Sequence, residues 1–429
     1  MSNIKEEWED FRIKLEKKRS FMERFYYIFL VINIIYPTML NTPMVGNVIA
    51  LIGGHMPWLP VQKGVIIFSG ITNLRLLIAV PAIYTIITDM KRTRERVGAV
   101  IMITVGWLSA LFLREWNDTY LLTAALMVVA AYGKDYKKIA RLGIVSISGV
   151  IILSAGLCFA GILPEDEYNL FRDGKVRHSL GFFGPTGLAG HVYVVLITLI
   201  FVRNGILKWP DYLLIVVLSI INIVFVDGRV ALIAIILATA GGLLYTIYIK
   251  SNISISDKLV RGYRLVMSFS YLIIGGAFCM AVITYRDGLS IYRRIKFFES
   301  FEGRVEVPHR MMQELPFSVF GNYMQKYSQA EKSLVQVGQY NFLDSEYARL
   351  YFIYGLVGVV FCFSLFTAIQ WRLRKEKMGF SMFIISVVAL FFLVQKGILD
   401  PSYNLFPMLL WANLDSINRK EVETDKEND

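Results

Sequence analysis

Long apolar runs broken by short polar intervals dominate the chain. They fall at roughly 25–41, 66–90, 98–113, 118–133, 142–163 and 186–202, then at 211–226, 230–249, 265–285, 350–371, 379–395 and 404–415. At about 1.5 Å of rise per residue, most of these runs are long enough as helices to cross a hydrocarbon layer of about 30 Å. The pattern predicts an all-α, polytopic membrane bundle of about twelve helices. Before the first run, Ile4, Trp8, Phe11, Leu15 and Met22 recur at helical spacing, with Lys14, Lys17, Lys18 and Arg19 interleaved. Residues 1–24 therefore read either as an amphipathic helix on a membrane surface or as a solvated charged tail.

One interval stands apart by its length. Residues 286–349 separate transmembrane runs 25–285 from runs 350–415, and a short polar tail follows at 416–429. Loops longer than about fifteen residues are usually functional or disordered. This one is rich in Ile, Tyr, Phe and Met, the composition of a partly helical cap. Ile291, Ile295 and Phe298 are helix-spaced with Arg293, Arg294 and Lys296 between them, which suits an interfacial helix or, alternatively, a disordered loop. The apolar stretch Val48–Gly54 is either re-entrant or exposed.

Composition supports the membrane reading. Hydrophobic residues make up 55% and charged residues 18%, with a mean hydropathy of +0.51, more apolar surface than a soluble domain of this length hides. Residues 1–24 are charged, and the first apolar run lacks a small-residue cleavage site, so no cleavable signal peptide is expected. Cys158, Cys279 and Cys362 all fall inside apolar runs and read as small buried hydrophobes.

The formal charge of +11 concentrates in short loops. Lys91, Arg92, Arg94 and Arg96 form one basic group, and Lys134, Lys137, Lys138 and Arg141 a second. Lys250, Lys258, Arg261 and Arg264 form a third, and Arg372, Arg374, Lys375 and Lys377 a fourth. With twelve crossings all four share a side with both termini, and the positive-inside rule makes that side the cytoplasm. The segments 164–185, 227–229, 286–349 and 396–403 are then expected outside. Topology thus accounts for the charge, and no nucleic acid partner is implied.

The outer segments lack the usual metal and nucleotide motifs: no Walker loop, HExxH, CxxC or EF-hand loop occurs. Asn41–Lys63 contains neither Asp nor Glu. Glu165-Asp166-Glu167 has Arg172, Lys175 and Arg177 close by to neutralise it. No metal site and no cofactor are expected. What remains is a set of fixed cations: Arg172, Arg177, Arg229, Arg286, Arg304 and Arg310. Arginine offers a planar fork of donors suited to phosphate oxygens, and cations held at a membrane lip want anionic partners.

Arg177-His178-Ser179-Leu180-Gly181-Phe182-Phe183-Gly184-Pro185-Thr186-Gly187 adds glycines and a helix start to such a cation. Each arginine has a plainer reading as an interfacial anchor or ion-pair member; Arg229 near Asp227 and Arg286 beside Asp287 fit it well. Proton acceptors on the same side are His178, Glu302, Glu306, His309, Asp344 and Glu346. His55 and His191 read as core histidines. Arg75 lies inside a span, where an unpaired arginine costs about 2.5–3.5 kcal/mol, so it should face the bundle interior or precede the span.

These residues resemble those of a known family. Arg177–Gly187 is similar to the Arg…Gly-Phe…Pro-Asn-x-x-Gly segment of the Wzy-type polymerases of O-antigen and capsule repeat units, and of the related O-antigen ligases. Asp227-Gly228-Arg229-Val230-Ala231-Leu232 resembles their Ser-Arg-Gly-Ala-Leu segment. Glu302-Gly303-Arg304, followed by Phe320-Gly321-Asn322, resembles their Gly-Arg and Phe-Gly. Leu343-Asp344-Ser345-Glu346-Tyr347 leading to Tyr354-Gly355-Leu356-Val357-Gly358 resembles the polymerases' Asp-Asn-x-Tyr…Gly-x-x-Gly. Thr186 stands in place of the family's Asn, and Gly228 in place of Ser.

The resemblance implies metal-independent glycosyl transfer at the outer face. A glycan on undecaprenyl diphosphate would pass to the end of another lipid-linked repeat unit. Arg177, Arg304 and Asp344 would be catalytic, and Arg172, His178, Arg229, His309 and Tyr347 would bind substrate. Membrane lipids, and a chain-length regulator, are the partners this implies. Two rivals stay open. An O-antigen ligase should carry His-Asn where this chain has Asp344, and a flippase or other transporter has little use for a large folded outer loop.

Overall fold

A computed structural model describes residues 2–44, 74–112, 119–164, 171–172, 175–251, 256–285, 296–315, 318–321 and 343–418. The described chain is a helical bundle. Its helices are α1 (Ser2–Leu40), α2 (Ala79–Tyr84), α3 (Thr93–Phe112), α4 (Tyr120–Ala130), α5 (Tyr136–Phe159), α6 (Pro185–Val202) and α7 (Trp209–Ile221). They continue with α8 (Arg229–Lys250), α9 (Asp257–Ser268), α10 (Ser270–Ile283), α11 (Lys296–Glu314), α12 (Glu346–Lys375) and α13 (Gly379–Phe391). Phe171–Arg172 and Lys175–Val176 pair as a two-residue antiparallel hairpin.

Six of these are long and apolar enough to cross a membrane: α3, α5, α6, α7 with its π-turn to Val226, α8 and α12. The pair α9–α10, bent by 54°, makes a seventh if taken as one span. By that measure the described residues give fewer than the expected twelve. The predicted run at 118–133 appears as the short helix α4. The run at 66–90 breaks into a 3-10 turn (Arg75–Ile78), α2 and a π-turn (Thr85–Asp89). Bands of exposed Ile, Leu and Val along α3, α5, α7 and α8 suit a hydrocarbon surround and would be a liability in water. Val48–Gly54, Glu165–Glu167, Arg286, Arg293, Arg294, Ile291, Ile295 and most of the long interval lie outside the described residues.

Burial follows much of the sequence pattern. Of the three cysteines expected to be buried only Cys362 is, with Cys158 half-buried and Cys279 exposed on the apolar outer side of its helix. In α1 the expected surface helix and first span form one continuous helix, burying Tyr26, Leu30 and Ile34 at four-residue steps. In contrast, α6 is apolar on every side and buried on every side, which makes it the central helix. Packing runs antiparallel around it. At one end Gly228 lies against Ala189, Gly190 against Gln395 and Tyr403, and the Glu346 amide donates to the Phe392 carbonyl (3.1 Å). At the other end the Thr246 hydroxyl donates to the Gly205 carbonyl (3.2 Å), and Gly205 lies against Phe380.

The basic groups collect at this second end. Lys134 pairs with Asp89 (4.0 Å) and Lys138 with Glu23 (3.8 Å), while the Arg264 guanidinium donates to the Lys377 carbonyl (3.2 Å).

The sequence pattern misreads the segment after α13. An outer loop at 396–403 and a helical span at 404–415 were expected. Instead, residues 398–409 are buried and mostly non-helical, with a 3-10 turn at Phe406–Leu410. The segment starts beside Glu346, whose carboxylate accepts from the Gly397 amide (2.6 Å). It ends at the basic end, where the Trp411 carbonyl accepts from the Gly133 amide (2.9 Å) and the Asn413 amide donates to the Lys134 carbonyl (2.7 Å). Irregular backbone inside a bundle must find its own hydrogen-bond partners. Asp400 accepts from the Ser402 amide (2.8 Å) and hydroxyl (2.7 Å). Asn404 donates to the Ile398 carbonyl (2.8 Å) and accepts from the Phe406 amide (3.1 Å). A hydropathy profile cannot distinguish such a self-satisfied strap from a helix.

Arg75 is 3% exposed and faces inward. Its Nε donates to Asn33 Oδ1 (3.1 Å), and its guanidinium lies 5.4 Å from the rings of Tyr36 and Tyr120. Asn33 returns a hydrogen bond to the Arg75 carbonyl (3.2 Å). Removing that acceptor strands a buried charged donor, so Asn33→Ala is expected to lower stability by about 2 kcal/mol. A thermal-unfolding series in detergent reads this directly. An unchanged midpoint would mean that Asn33 does not hold Arg75.

Candidate functional site

The site starts from the backbone needs of α7. Its last turn widens into a π-turn, Asn222–Val226, and Asp227 ends it in the left-handed region (φ 51°, ψ 43°). Helix ends leave carbonyls without intrahelical partners. The Phe225 carbonyl accepts from the His178 amide (2.6 Å), and the Val226 carbonyl accepts from Arg177 Nε (3.1 Å). A cation at a helix C-terminus is favoured by the aligned peptide dipoles. Arg177 is therefore fixed at one edge and buried, and it lines the cavity.

Leu180 and Gly181 then turn the chain with positive φ (47° and 77°). The Leu180 carbonyl accepts from the Ser154 hydroxyl (3.1 Å). A side chain at Gly181 would meet Ser154 and Leu163, so this glycine serves packing against α5. Pro185 opens α6 as its first residue, where its missing N–H costs nothing, and Thr186 on the same turn faces the cavity.

Arg177, Arg229 and Arg304, spread over 127 residues of sequence, line one cavity of about 250 Å³. Thr186, Asp227, Gln395 and the apolar Val230, Phe391 and Val394 complete much of its wall. Arg229 opens α8, and its Nε donates to Asp227 (2.9 Å). Arg304 comes from α11, which packs on α10 and buries Val305, Val307 and Met311. Its guanidinium pairs with Asp344 (3.5 Å), which lies two residues before the start of α12. Three arginines against two paired carboxylates, Asp227 on the wall and Asp344 on Arg304, leave an excess of one positive charge suited to an anion.

No family model, curated protein or solved structure matches this chain. The geometry of the chain itself therefore carries the reading.

The other expected site residues fall elsewhere. His178 packs its ring near Phe225 (6.1 Å). On α11, His309 Nδ1 donates to the Val282 carbonyl (2.8 Å), and the ring lies by Tyr285. Tyr347 is a core residue whose hydroxyl donates to the Ala389 carbonyl (3.1 Å) among Phe278 and Phe363. Arg172 lies in the hairpin. Arg310 pairs with Glu306 (3.7 Å) along α11. Glu346 holds the Gly397 amide and approaches Arg349 (3.7 Å). Among the described residues no group of three or more His, Cys, Asp or Glu is arranged to hold a metal ion.

Asp227 and Gln395 are cavity residues that sequence reasoning did not select as ligand contacts. Asp227 sat in view as the partner of Arg229. Gln395 had one available signal, a polar residue ending an otherwise apolar run. Asp227 also occupies a backbone position that Asn tolerates and β-branched residues do not. Asp227→Asn is expected to leave thermal stability within about 0.5 kcal/mol, whereas Asp227→Val costs about 1–2 kcal/mol. Equal midpoints for the two variants would contradict the left-handed geometry.

Proposed function

We propose that this chain is a membrane glycosyltransferase that joins lipid-linked oligosaccharide repeat units, using undecaprenyl-diphosphate-linked glycan as donor. The observation carrying the proposal is the meeting of Arg177, Arg229 and Arg304 on one cavity, at the bundle end opposite the basic groups. In this reading the basic end and both termini are cytoplasmic, the cavity opens outside, and the full chain makes about twelve crossings of a bacterial cytoplasmic membrane.

In the reaction, an acceptor sugar hydroxyl attacks the anomeric carbon of the donor glycan. The bond from that carbon to the diphosphate oxygen breaks, and its electron pair leaves with the diphosphate. The arginine forks stabilise the charge that develops there. The hydroxyl proton passes to a carboxylate, which we assign to Asp344, held against Arg304 at 3.5 Å. The apolar wall of Val230, Phe391 and Val394 suits the first part of a prenyl chain beside its diphosphate.

Glycan chain length in the host tests the proposal. Asp344→Asn should leave single repeat units on the lipid carrier. Long chains of normal distribution would refute the assignment, and repeat units trapped on the inner face would favour a flippase.

A further inference from the structure

The basic end of the bundle holds a second anion site of different character. The expected single span at 265–285 is bent here: α9 turns away from α10 by 54°. Its residues divide by face. Leu259, Tyr263 and Val266, one helical turn apart, are exposed, Leu259 at 68%. At the margin of this face Met267 accepts a hydrogen bond from Ser386 (3.2 Å), and across the helix the Ser268 hydroxyl donates to the Arg264 carbonyl (2.7 Å). An exposed apolar face on a helix interleaved with cations is the pattern of a helix lying in a membrane interface.

The end of α12 meets it there. The Tyr263 hydroxyl donates to the Gly379 carbonyl and the Arg264 guanidinium to the Lys377 carbonyl, both at 3.2 Å. Residues 257–268 and 371–379 bring seven cations and two carboxylates to this corner. One of the carboxylates, Glu376, is taken by Arg372 (2.9 Å). Among the described residues, two buried guanidinium nitrogens, Arg264 Nε and Arg374 Nη1, have no acceptor, on side chains that are otherwise partly exposed. Arg374 stacks over Trp371 (4.6 Å), which sets its orientation, and Arg264 Nε faces the N-terminal residue of α13, Gly379. Donors left unfilled among excess cations require an anionic acceptor.

We propose that the α9–α12 corner binds the phosphate headgroup of an anionic membrane phospholipid, with Arg264 and Arg374 on the phosphate and Leu259 and Val266 against its acyl region. The exposed apolar face is what selects a lipid over a free anion. The site lies at the far end of the bundle from the arginine cavity and does not depend on glycosyl transfer.

The test is lipid retention by the purified full-length protein in neutral detergent, read by native mass spectrometry. The probes are phosphatidylglycerol, phosphatidylcholine and inorganic phosphate. At about 1 kcal/mol per cation, Arg264→Gln/Arg374→Gln should retain phosphatidylglycerol about 30-fold less well than the unaltered protein. Arg374→Gln alone, which removes no hydrogen bond within the protein, should show about a fivefold loss and guards against a folding artefact in the double variant. Phosphatidylcholine retention should be low and equal in all three proteins, and millimolar phosphate should not displace the lipid. Equal phosphatidylglycerol retention by Arg374→Gln and the unaltered protein would overturn the proposal. So would equal retention of the two lipids, or full displacement by phosphate.

Discussion

Arg304→Lys and Arg177→Lys are each expected to slow glycan transfer by about 10²–10³-fold while preserving the formal charge of the cavity. The size of the effect comes from geometry. Arg304 has one arm on Asp344 (3.5 Å) and also lines the cavity. A planar fork satisfies two such partners at once, whereas a lysine ammonium on a flexible stem serves one or the other. Arg177 is under the same demand, since its Nε is committed to the Val226 carbonyl (3.1 Å). A lysine there must choose between the helix end and the ligand. The stability cost of Arg177→Lys should be small by comparison, about 1 kcal/mol for the lost carbonyl contact. Thermal midpoints and transfer rates measured on the same preparations separate the two effects. Transfer within threefold of normal in both lysine variants would mean that charge alone suffices, and the clamp reading would fall.

The largest stability effect is expected at Gly321. Within α12, Gly355 leaves helical geometry altogether (φ 66°, ψ −161°). That break frees the amides of Leu356 and Val357 from their usual partners one turn back. They donate instead to the carbonyls of Ser318 (3.3 Å) and Val319 (3.0 Å), and the Ser318 hydroxyl donates to the Gly321 carbonyl (2.6 Å). The segment 318–321 thus docks into the gap in the helix, and stacking of Phe320 on Phe112 at 4.1 Å ties it to α3.

Gly321 itself has φ 96°, a conformation that side chains rarely adopt. A methyl there would overlap the Ile353 carbonyl oxygen, and that backbone has nowhere to retreat. Gly321→Ala should therefore cost on the order of 4 kcal/mol and undock the chain that follows the Arg304 helix. Gly303→Ala is the matched control: nothing lies within 4 Å of its added methyl, and the change should be neutral or stabilising by up to about 1 kcal/mol. Similar losses in both variants would show that the interlock at Gly355 does not hold this corner.

Much of this architecture is legible in the sequence, for physical reasons that differ by element. The helices α3, α5, α6, α7, α8 and α12 could be read because an apolar run of that length has few other stable outcomes. Arg75 could be placed because an unsolvated guanidinium must find partners, here Asn33 and two tyrosine rings. The glycine pairs Phe320-Gly321 and Tyr354-Gly355 were visible as motifs, but their contact was not, since it joins backbones through a break in a helix. The buried strap from Gln395 to Trp411 was misread for a related reason. Its polar groups are satisfied by Asp400, Ser402 and Asn404 within a few residues, and composition does not encode that arrangement. Tyr347 shows the opposite limit. The family resemblance implies a substrate contact for it, and in the structure its ring lies in the core with its hydroxyl donating to the Ala389 carbonyl. Gln395 reaches the cavity only because the chain leaves α13 at that point.

The central claim is that a cavity lined by Arg177, Arg229 and Arg304 handles a diphosphate leaving group without a metal ion. The most direct measurement is incubation of the purified protein with a lipid-linked repeat unit on undecaprenyl diphosphate, in excess metal chelator. A ladder of elongated lipid-linked glycans should form, with one undecaprenyl diphosphate released per bond made, and Arg304→Lys should form it about 10²–10³-fold more slowly under the same conditions. No ladder from the unaltered protein, or one that disappears on chelation, would contradict the account.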